Sequence, residues 1–245
     1  MENQFSRTQM LLGESGLKAL ASSRVAIFGV GGVGGYVAEA LARSGVGALD
    51  LVDNDVVALS NLNRQILATH ASLGLPKVDV AAARIKDINP NCKVLTHRLF
   101  FLPQTVQKFD FSQYDYIVDA IDTVTGKIAL ISAAKEAGVP VISSMGAGNK
   151  LDPTRFRVSD ISKTHTDPLA KVIRVKLKQL GLRKVKVVWS DEPPIKPLEG
   201  SQTENSDKRV PGSVAFVPSV AGLIISSEVV KDLCIKNNFL GGKNT

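Results

Sequence analysis

Three stretches of this chain carry residue types that could do chemistry together. Gly29-Val30-Gly31-Gly32-Val33-Gly34 is a glycine run of the kind that cradles phosphate. Asp53 follows, and then Ser60-Asn61-Leu62-Asn63-Arg64-Gln65 supplies amides and a cation. Further on, Tyr116-Ile117-Val118-Asp119-Ala120-Ile121-Asp122 is an apolar run that ends in carboxylates. The glycines alone suggest a nucleotide. A hydride-transfer enzyme has no obvious need for the polar, cationic run after Asp53, whereas an enzyme that attacks a nucleotide's phosphates does. Such a site collects cations that strengthen their hold as charge shifts. Magnesium takes one or two carboxylates plus phosphate oxygens; Asp119 reads rather as a group that orients a neighbour, and capping a helix is open to either aspartate.

These groups need a scaffold. Val25-Ala26-Ile27-Phe28 reads as a buried parallel strand, and Tyr36 to Arg43 has helical apolar spacing with Gly45 as its stop. Between them Gly29 permits a tight turn, Gly31 lets phosphate approach the backbone, and Gly34 lets helix pack on strand. The helix N-terminus offers free N–H donors to an anion. A second strand, 48–53, ends in Asp53, placed to accept from ribose hydroxyls. Strand-like runs at 24–29, 48–53, 92–97, 115–121 and 139–143 alternate with helix-like stretches. The expected class is therefore α/β: a Rossmann-like, mostly parallel sheet with flanking helices. Pro76 marks a helix start, with Val78, Ala82 and Ile85 as its apolar stripe. Ser190–Gly212 reads as a long mobile loop, and Ser219–Lys236 as a final helix. Residues 1–245 are expected to form a single domain, long enough to bury a substantial core.

No run of 18 apolar residues occurs, so no membrane span is expected. The N-terminus is polar, without a signal-peptide core. Two cysteines, Cys92 and Cys234, give no disulfide framework, fit a reducing cytoplasm, and read as small buried hydrophobes. Net charge is +7, and Lys163 to Lys186 holds eight Lys and Arg residues against Asp167 alone. Such a patch is the footprint of a polyanion. Within it, residues 167–180 read as a basic helix capped by Asp167 with Pro168 at its first position. Leu169, Val172, Ile173, Leu177 and Leu180 form its apolar stripe, and Lys171, Arg174 and Lys178 its cationic one. RNA phosphates, a membrane surface or plain solvent would each suit that face.

From Asp53 the sequence Asp-Asn-Asp-Val-Val-Ala-Leu-Ser-Asn-Leu-Asn-Arg-Gln resembles the superfamily that activates carboxylates as acyl-adenylates, among them the ubiquitin-activating enzymes and the bacterial activators of sulfur-carrier proteins. Asp167-Pro168-Leu169-Ala170, Trp189 to Pro194 and Pro211 to Pro218 are similar to one branch, the tRNA threonylcarbamoyladenosine dehydratases. The resemblance implies an ubiquitin-activating-enzyme-like adenylation domain. It implies that ATP binds through Gly29, Gly31, Gly32, Gly34, Asp53, Asp55, Asn61, Arg64, Gln65, Lys77 and Asp122. Arg64 and Lys77 would lie close to the phosphates, Asp122 would hold Mg2+, and Arg7 would act across a homodimer interface as an arginine finger. It further implies tRNA as substrate rather than DNA, a sulfur-transfer pair as partners, and a monovalent cation (Na+ or K+) near the subunit interface. The implied reaction cyclises N6-threonylcarbamoyladenosine with ATP.

Cysteine usage separates the branches. Ubiquitin-type activators carry a thiol on a crossover loop, here roughly residues 160–210, and sulfur-carrier activators carry two zinc-binding Cys-x-x-Cys pairs. This chain has neither. A missing thiol is intelligible if the attacking group belongs to the substrate. Three rivals remain at this level: an NAD-dependent dehydrogenase, which leaves Asn61, Arg64 and Lys77 unexplained; an activator of a protein C-terminus; and a non-catalytic nucleotide-binding scaffold.

Overall fold

Strand β1 (Arg24–Phe28) sends alternate residues to opposite faces. Val25 and Ile27 enter one buried cluster, Ala26 and Phe28 another. Burial on both sides requires helices on both faces, and the computed structural model, which describes residues 3–196, 198 and 211–236, has them. The other strands are β2 (Ala48–Val52), β3 (Lys93–His97), β4 (Tyr116–Asp119), β5 (Val141–Ser144), β6 (Phe156–Asp160) and β7 (Lys186–Ser190). They lie in the order β3-β2-β1-β4-β5-β7-β6, and every pairing except β6 with β7 is parallel. Going outward from β1, the chain builds first to one side and then, from β4, to the other. That reversal opens a crevice at the carboxyl ends of β1 and β4, where ligands of open α/β sheets bind. The five expected strands are present within about two residues; β6 and β7 were not foreseen.

Helix α1 (Ser6–Ser22) is two helical segments broken at Gly13, whose φ is 69°. Helix α2 (Gly34–Ser44) ends at Gly45 in the left-handed region, φ 92°, as the glycine there implied. Helix α3 (Lys77–Ile88) follows Pro76 and buries Ala81 rather than centring on Ala82. Helices α4 (Val124–Glu136), α5 (Pro168–Gln179) and α6 (Phe216–Lys236) complete the layers. Helix α6 begins three residues ahead of the expected Ser219. It buries Val217, Ala221, Ile225, Val229 and Leu233, a strict four-residue stripe, against the β1 side of the core. Gly222 makes that packing close: a Cβ there would sit 2.5 Å from the Val33 carbonyl oxygen.

Cys92 and Cys234 are both fully buried in the same cluster, as small hydrophobes. Burial pushes the Cys92 thiol up to about 11 and raises that of Cys234. On the opposite face Asp50, 1 % exposed, accepts from Arg24 Nε and Nη2 at 2.9 Å and Tyr114 OH at 3.1 Å. His97 Nε2 lies 3.2 Å from the same carboxylate. Burial pushes this carboxyl upward, but the contacts from His97, Arg24 and Tyr114 outweigh it and hold it below the ordinary aspartate range. Among the described residues, no helix is long and apolar enough to cross a membrane.

The expected mobile loop 190–212 needs revision at its start. Ser190 belongs to β7 and is fully buried. The Glu192 carboxylate accepts from Leu151 N at 3.0 Å and Asp152 N at 3.0 Å. These backbone donors pin the segment that the sequence, rich in proline and charge, presents as free. Residue 197 and residues 199–210 of that loop lie outside the described residues.

Candidate active site

The turn after β1 and the turn after β4 touch. Gly29, at φ 88°, approaches so closely that a Cβ would lie 2.5 Å from the Ala120 carbonyl oxygen, so only glycine satisfies both constraints. Gly34 supports this from behind; a Cβ there would fall 1.8 Å from the Gly29 oxygen. Gly34 therefore packs the turn, and Gly29, Gly31 and Gly32 line the cavity of about 470 Å³ in front of it.

The same cavity is lined by Asp53, Asp55, Asn61, Arg64, Gln65, Lys77 and Asp122. Asp53 accepts from Val30 N at 2.7 Å and from Asp55 N at 2.8 Å, so the acid that ends β2 locks the glycine turn in place. Asn61 Oδ1 accepts from Ala58 N at 3.0 Å and fixes the short helical turn that carries Arg64. Arg64, half-buried, donates from Nη1 to the Ser60 carbonyl (2.8 Å) and Asn63 Oδ1 (2.9 Å). Lys77 is 5 % exposed and its Nζ lies 2.7 Å from Asp55 Oδ2. Gln65 is buried, and its Oε1 has no hydrogen-bond partner among the described residues, an orphan acceptor of the kind that a ligand satisfies. Asp122 is exposed at the rim.

Asp119 does different work. It is fully buried, and Lys127 Nζ, on α4, lies 3.2 Å from each of its oxygens. Lys127 also donates to the Ser144 carbonyl at 2.6 Å, and Ser143 Oγ donates to Asp119 Oδ2. The backbone N–H of Ile121 donates to Asp119 Oδ1 at 3.1 Å, which fixes the turn leading to Asp122. Thr123 takes the N-cap position of α4, so neither aspartate caps that helix.

Arg7 is exposed on α1 and does not line this cavity. Other residues do: Leu99, Phe100 and Phe101 after β3 and Ala147 and Gly148 after β5, together with Pro211, Ser213 and Pro218 of the Pro211–Pro218 motif, which runs into the first turn of α6. Their signal was position, because the ends of β3 and β5 lie at the carboxyl edge of the sheet. Asn149, at φ 57°, ties this roof down. Its N–H donates to the Gly212 carbonyl and its Oδ1 accepts from Gly212 N, both at 2.7 Å, and its own carbonyl accepts from Ile195 N at 2.8 Å.

Helix α5 starts as expected. Asp167 Oδ1 accepts from Ala170 N at 3.0 Å, and Oδ2 accepts from Gly146 N at 2.9 Å. Its buried face is narrower than the expected stripe: Ala170, Ile173 and Leu177 are buried, whereas Val172 and Leu180 are 42 % and 57 % exposed. Val172 lies on the far side of the helix from that face, and Leu180 falls just past its end. Lys171 and Lys178 share an exposed face. Arg174 is instead half-buried and donates from Nη1 to the carbonyl and hydroxyl of Thr164. Lys186 leaves the patch altogether, pairing with Asp232 at 2.7 Å and Glu228 at 3.2 Å on α6.

The ThiF family pattern matches residues 5–243. The tRNA threonylcarbamoyladenosine dehydratase of Bacillus subtilis is 50 % identical over 242 residues, covering 95 % of each chain. The tRNA N6-threonylcarbamoyladenosine dehydratase of Escherichia coli, in crystal structures with ATP and with AMP, superposes with a TM-score of 0.87 at 36 % identity, over 96 % of this chain and 95 % of that one. A weaker likeness, 39 % over 133 residues, joins 54 % of this chain to 27 % of the adenylyltransferase and sulfurtransferase uba4 of Aspergillus niger. The chain belongs to the ThiF family.

Proposed function

We propose that this protein converts N6-threonylcarbamoyladenosine in tRNA to its cyclic form by adenylating the threonyl carboxylate with ATP. The observation that carries the reading is convergence: the glycine turn, Arg64, Lys77 and Asp122 all line one cavity at the β1–β4 crevice. ATP phosphates lie against Gly31, Gly32 and the start of α2, whose N–H groups favour an anion. Arg64 and Lys77 supply cations, Lys77 by exchanging Asp55 for phosphate oxygen. Gln65 Oε1 gains the donor that it lacks. Asp122, a single exposed carboxylate beside the phosphates, fits Mg2+, which takes one or two carboxylates and completes its shell with phosphate and water. When bound, the ion neutralises phosphate charge.

A carboxylate oxygen attacks the α-phosphorus, the bond to the bridging oxygen breaks, and pyrophosphate leaves. A urea nitrogen of the same substituent then attacks the acyl carbon and gives its proton to solvent. The bond from that carbon to the phosphate oxygen breaks and AMP departs. Attack within one molecule reaches effective molarities of about 10⁵ M or more, so no enzyme thiol is needed. The chain's two cysteines are both buried, and the described residues contain no cluster of metal-binding side chains. Neither fits the thiol relay or the zinc site of the protein-activating branches.

Lys171 and Lys178 contact tRNA phosphates, with Arg174 bracing the loop at Thr164. A homodimer places Arg7 at the partner's nucleotide, a monovalent cation sits near that interface, and a sulfur-transfer pair and the cytoplasm complete the setting. The test is mass spectrometry of nucleosides from tRNA bearing the linear adduct, after incubation with protein and ATP. Loss of one water with AMP release supports the reading; unconsumed ATP overturns it.

A further inference from the structure

Beside the nucleotide cavity lies a second, of about 380 Å³, within the range of about 300–1,000 Å³ typical of small-molecule sites. The two share a wall: Val33, Ala120, Ile121, Asp122, Gly148 and Pro211 border both. The far wall comes from Ser144, Met145, Gly146, Asn149 and Lys150 at and after the end of β5, and from Asp167, Pro168 and Leu169 where α5 begins. It is mostly apolar, with two buried charges. Asp167, 1 % exposed, has a structural occupation, because its oxygens accept from Gly146 N and Ala170 N. Lys150, 3 % exposed, has less. Its Nζ donates to the Glu192 carbonyl at 2.8 Å, and an ammonium carries three donors. Burial lowers its affinity for a proton by more than the nearby Asp167 and Glu192 restore, so its pKa lies below that of a free lysine. A buried ammonium with donors to spare, facing an apolar cavity, is a recognition group.

The occupant follows from the proposed function, on which this inference rests. The carboxylate to be adenylated must sit at the shared wall, within reach of the α-phosphorus and Asp122. Along the chain from the α-carbon toward the adenine the first acceptor is the ureido oxygen, three bonds on, far enough to reach the opposite wall when the carboxylate lies at the shared one. We propose that the second cavity holds the threonylcarbamoyl group of a flipped-out adenosine, with Lys150 donating to its ureido oxygen. Helix α5 supplies the route. Its first turn lines the cavity and its exposed Lys171 and Lys178 run outward from there, so a backbone lying over α5 delivers one unstacked nucleoside into the pocket. Lys150 thereby distinguishes the modified adenosine from a bare one, which would offer no acceptor to the donors that the Glu192 carbonyl leaves over.

The test uses the full chain, ATP, and one tRNA sequence in two forms, with and without the threonylcarbamoyl group. Lys150→Met is expected to raise KM for the modified tRNA about tenfold to a hundredfold, the size of a hydrogen bond to a charged group. ATP affinity stays within about twofold, and the preference for modified over unmodified tRNA in filter binding collapses toward one. Lys150→Gln, whose amide still donates, recovers part of that preference. Leu169→Trp, which fills the cavity without removing a buried partner, raises KM in the same way and decides the matter if Lys150→Met loses ATP binding. If both variants keep wild-type KM and preference while the wild-type protein turns over, the cavity is misassigned and the proposed function stands. If the wild-type protein neither consumes ATP nor cyclises the modified tRNA, both fall together.

Discussion

Asp119 and Lys127 form an ion pair sealed from solvent directly behind the exposed Asp122. The pair also holds the Ser144 carbonyl and the Ile121 amide, so it joins the ends of β4 and β5 to the turn that lines both cavities. Removing one partner of such a pair strands the other charge. Lys127→Met is expected to destabilise the fold by about 3–5 kcal/mol, measured by urea denaturation. Asp119→Asn, which keeps a hydrogen-bonding group in place, should cost less and should raise the Mg2+ concentration needed for half-maximal rate.

Arg64 and Asp122 are rim groups with few or no partners in the fold. Arg64→Ala and Asp122→Ala should abolish pyrophosphate release while shifting stability by less than about 0.5 kcal/mol. Turnover above a tenth of the wild-type rate in either variant would remove that residue from the phosphate site.

The cations of α5 divide by geometry. Lys171→Glu with Lys178→Glu should weaken tRNA binding and lower the dependence of log affinity on log salt by about 2, leaving ATP affinity unchanged. Arg174→Ala should lower stability through loss of its Thr164 contacts and change the salt slope little. A salt slope equal to that of the wild type in the double variant would place the RNA elsewhere.

Gly222 sets how closely α6 approaches α2. Gly222→Ala would drive a methyl into the Val33 carbonyl and cost about 1–3 kcal/mol. Because Pro218 on the same helix borders the nucleotide cavity, ATP affinity should fall as well. Isothermal titration and thermal melting read the two effects separately.

Asp50 predicts the acid side of the stability curve. Its folded pKa is depressed by His97, Arg24 and Tyr114, so its contribution is complete above the unfolded value of about 3.9. That contribution disappears as pH falls through the folded value. Asp50→Asn should lower stability at neutral pH and flatten the decline below about pH 4, seen in denaturant midpoints across pH.

The sequence made the β1–α2 turn readable because sterics leave few residues able to occupy it: Gly29 sits at positive φ, and Gly34 has no room for a Cβ. Asp53 and Arg64 were readable because they follow that turn at short range. Lys127 was not, since nothing local marks one lysine of α4 as buried; its partners sit at the ends of β4 and β5. The parts of the cavity wall at residues 99–101 and 147–148 were hidden for the same reason, whereas Pro211 to Pro218 stood out as a motif without its place being evident. Strand β7 begins at Lys186, and that lysine reads as one more cation of the basic patch until α6 supplies Asp232 and Glu228.

Asn149 gathers Ile195 and Gly212 onto a single residue. Ile195 and Gly212 are therefore held at nearly the same place, and loop closure grows only slowly more costly with added length. A change of chain length between those two anchors costs little, provided that Pro211, which borders both cavities, is kept. The stretch between them is the natural place for descendants of this scaffold to acquire new specificity, and for an engineer to insert a reporter.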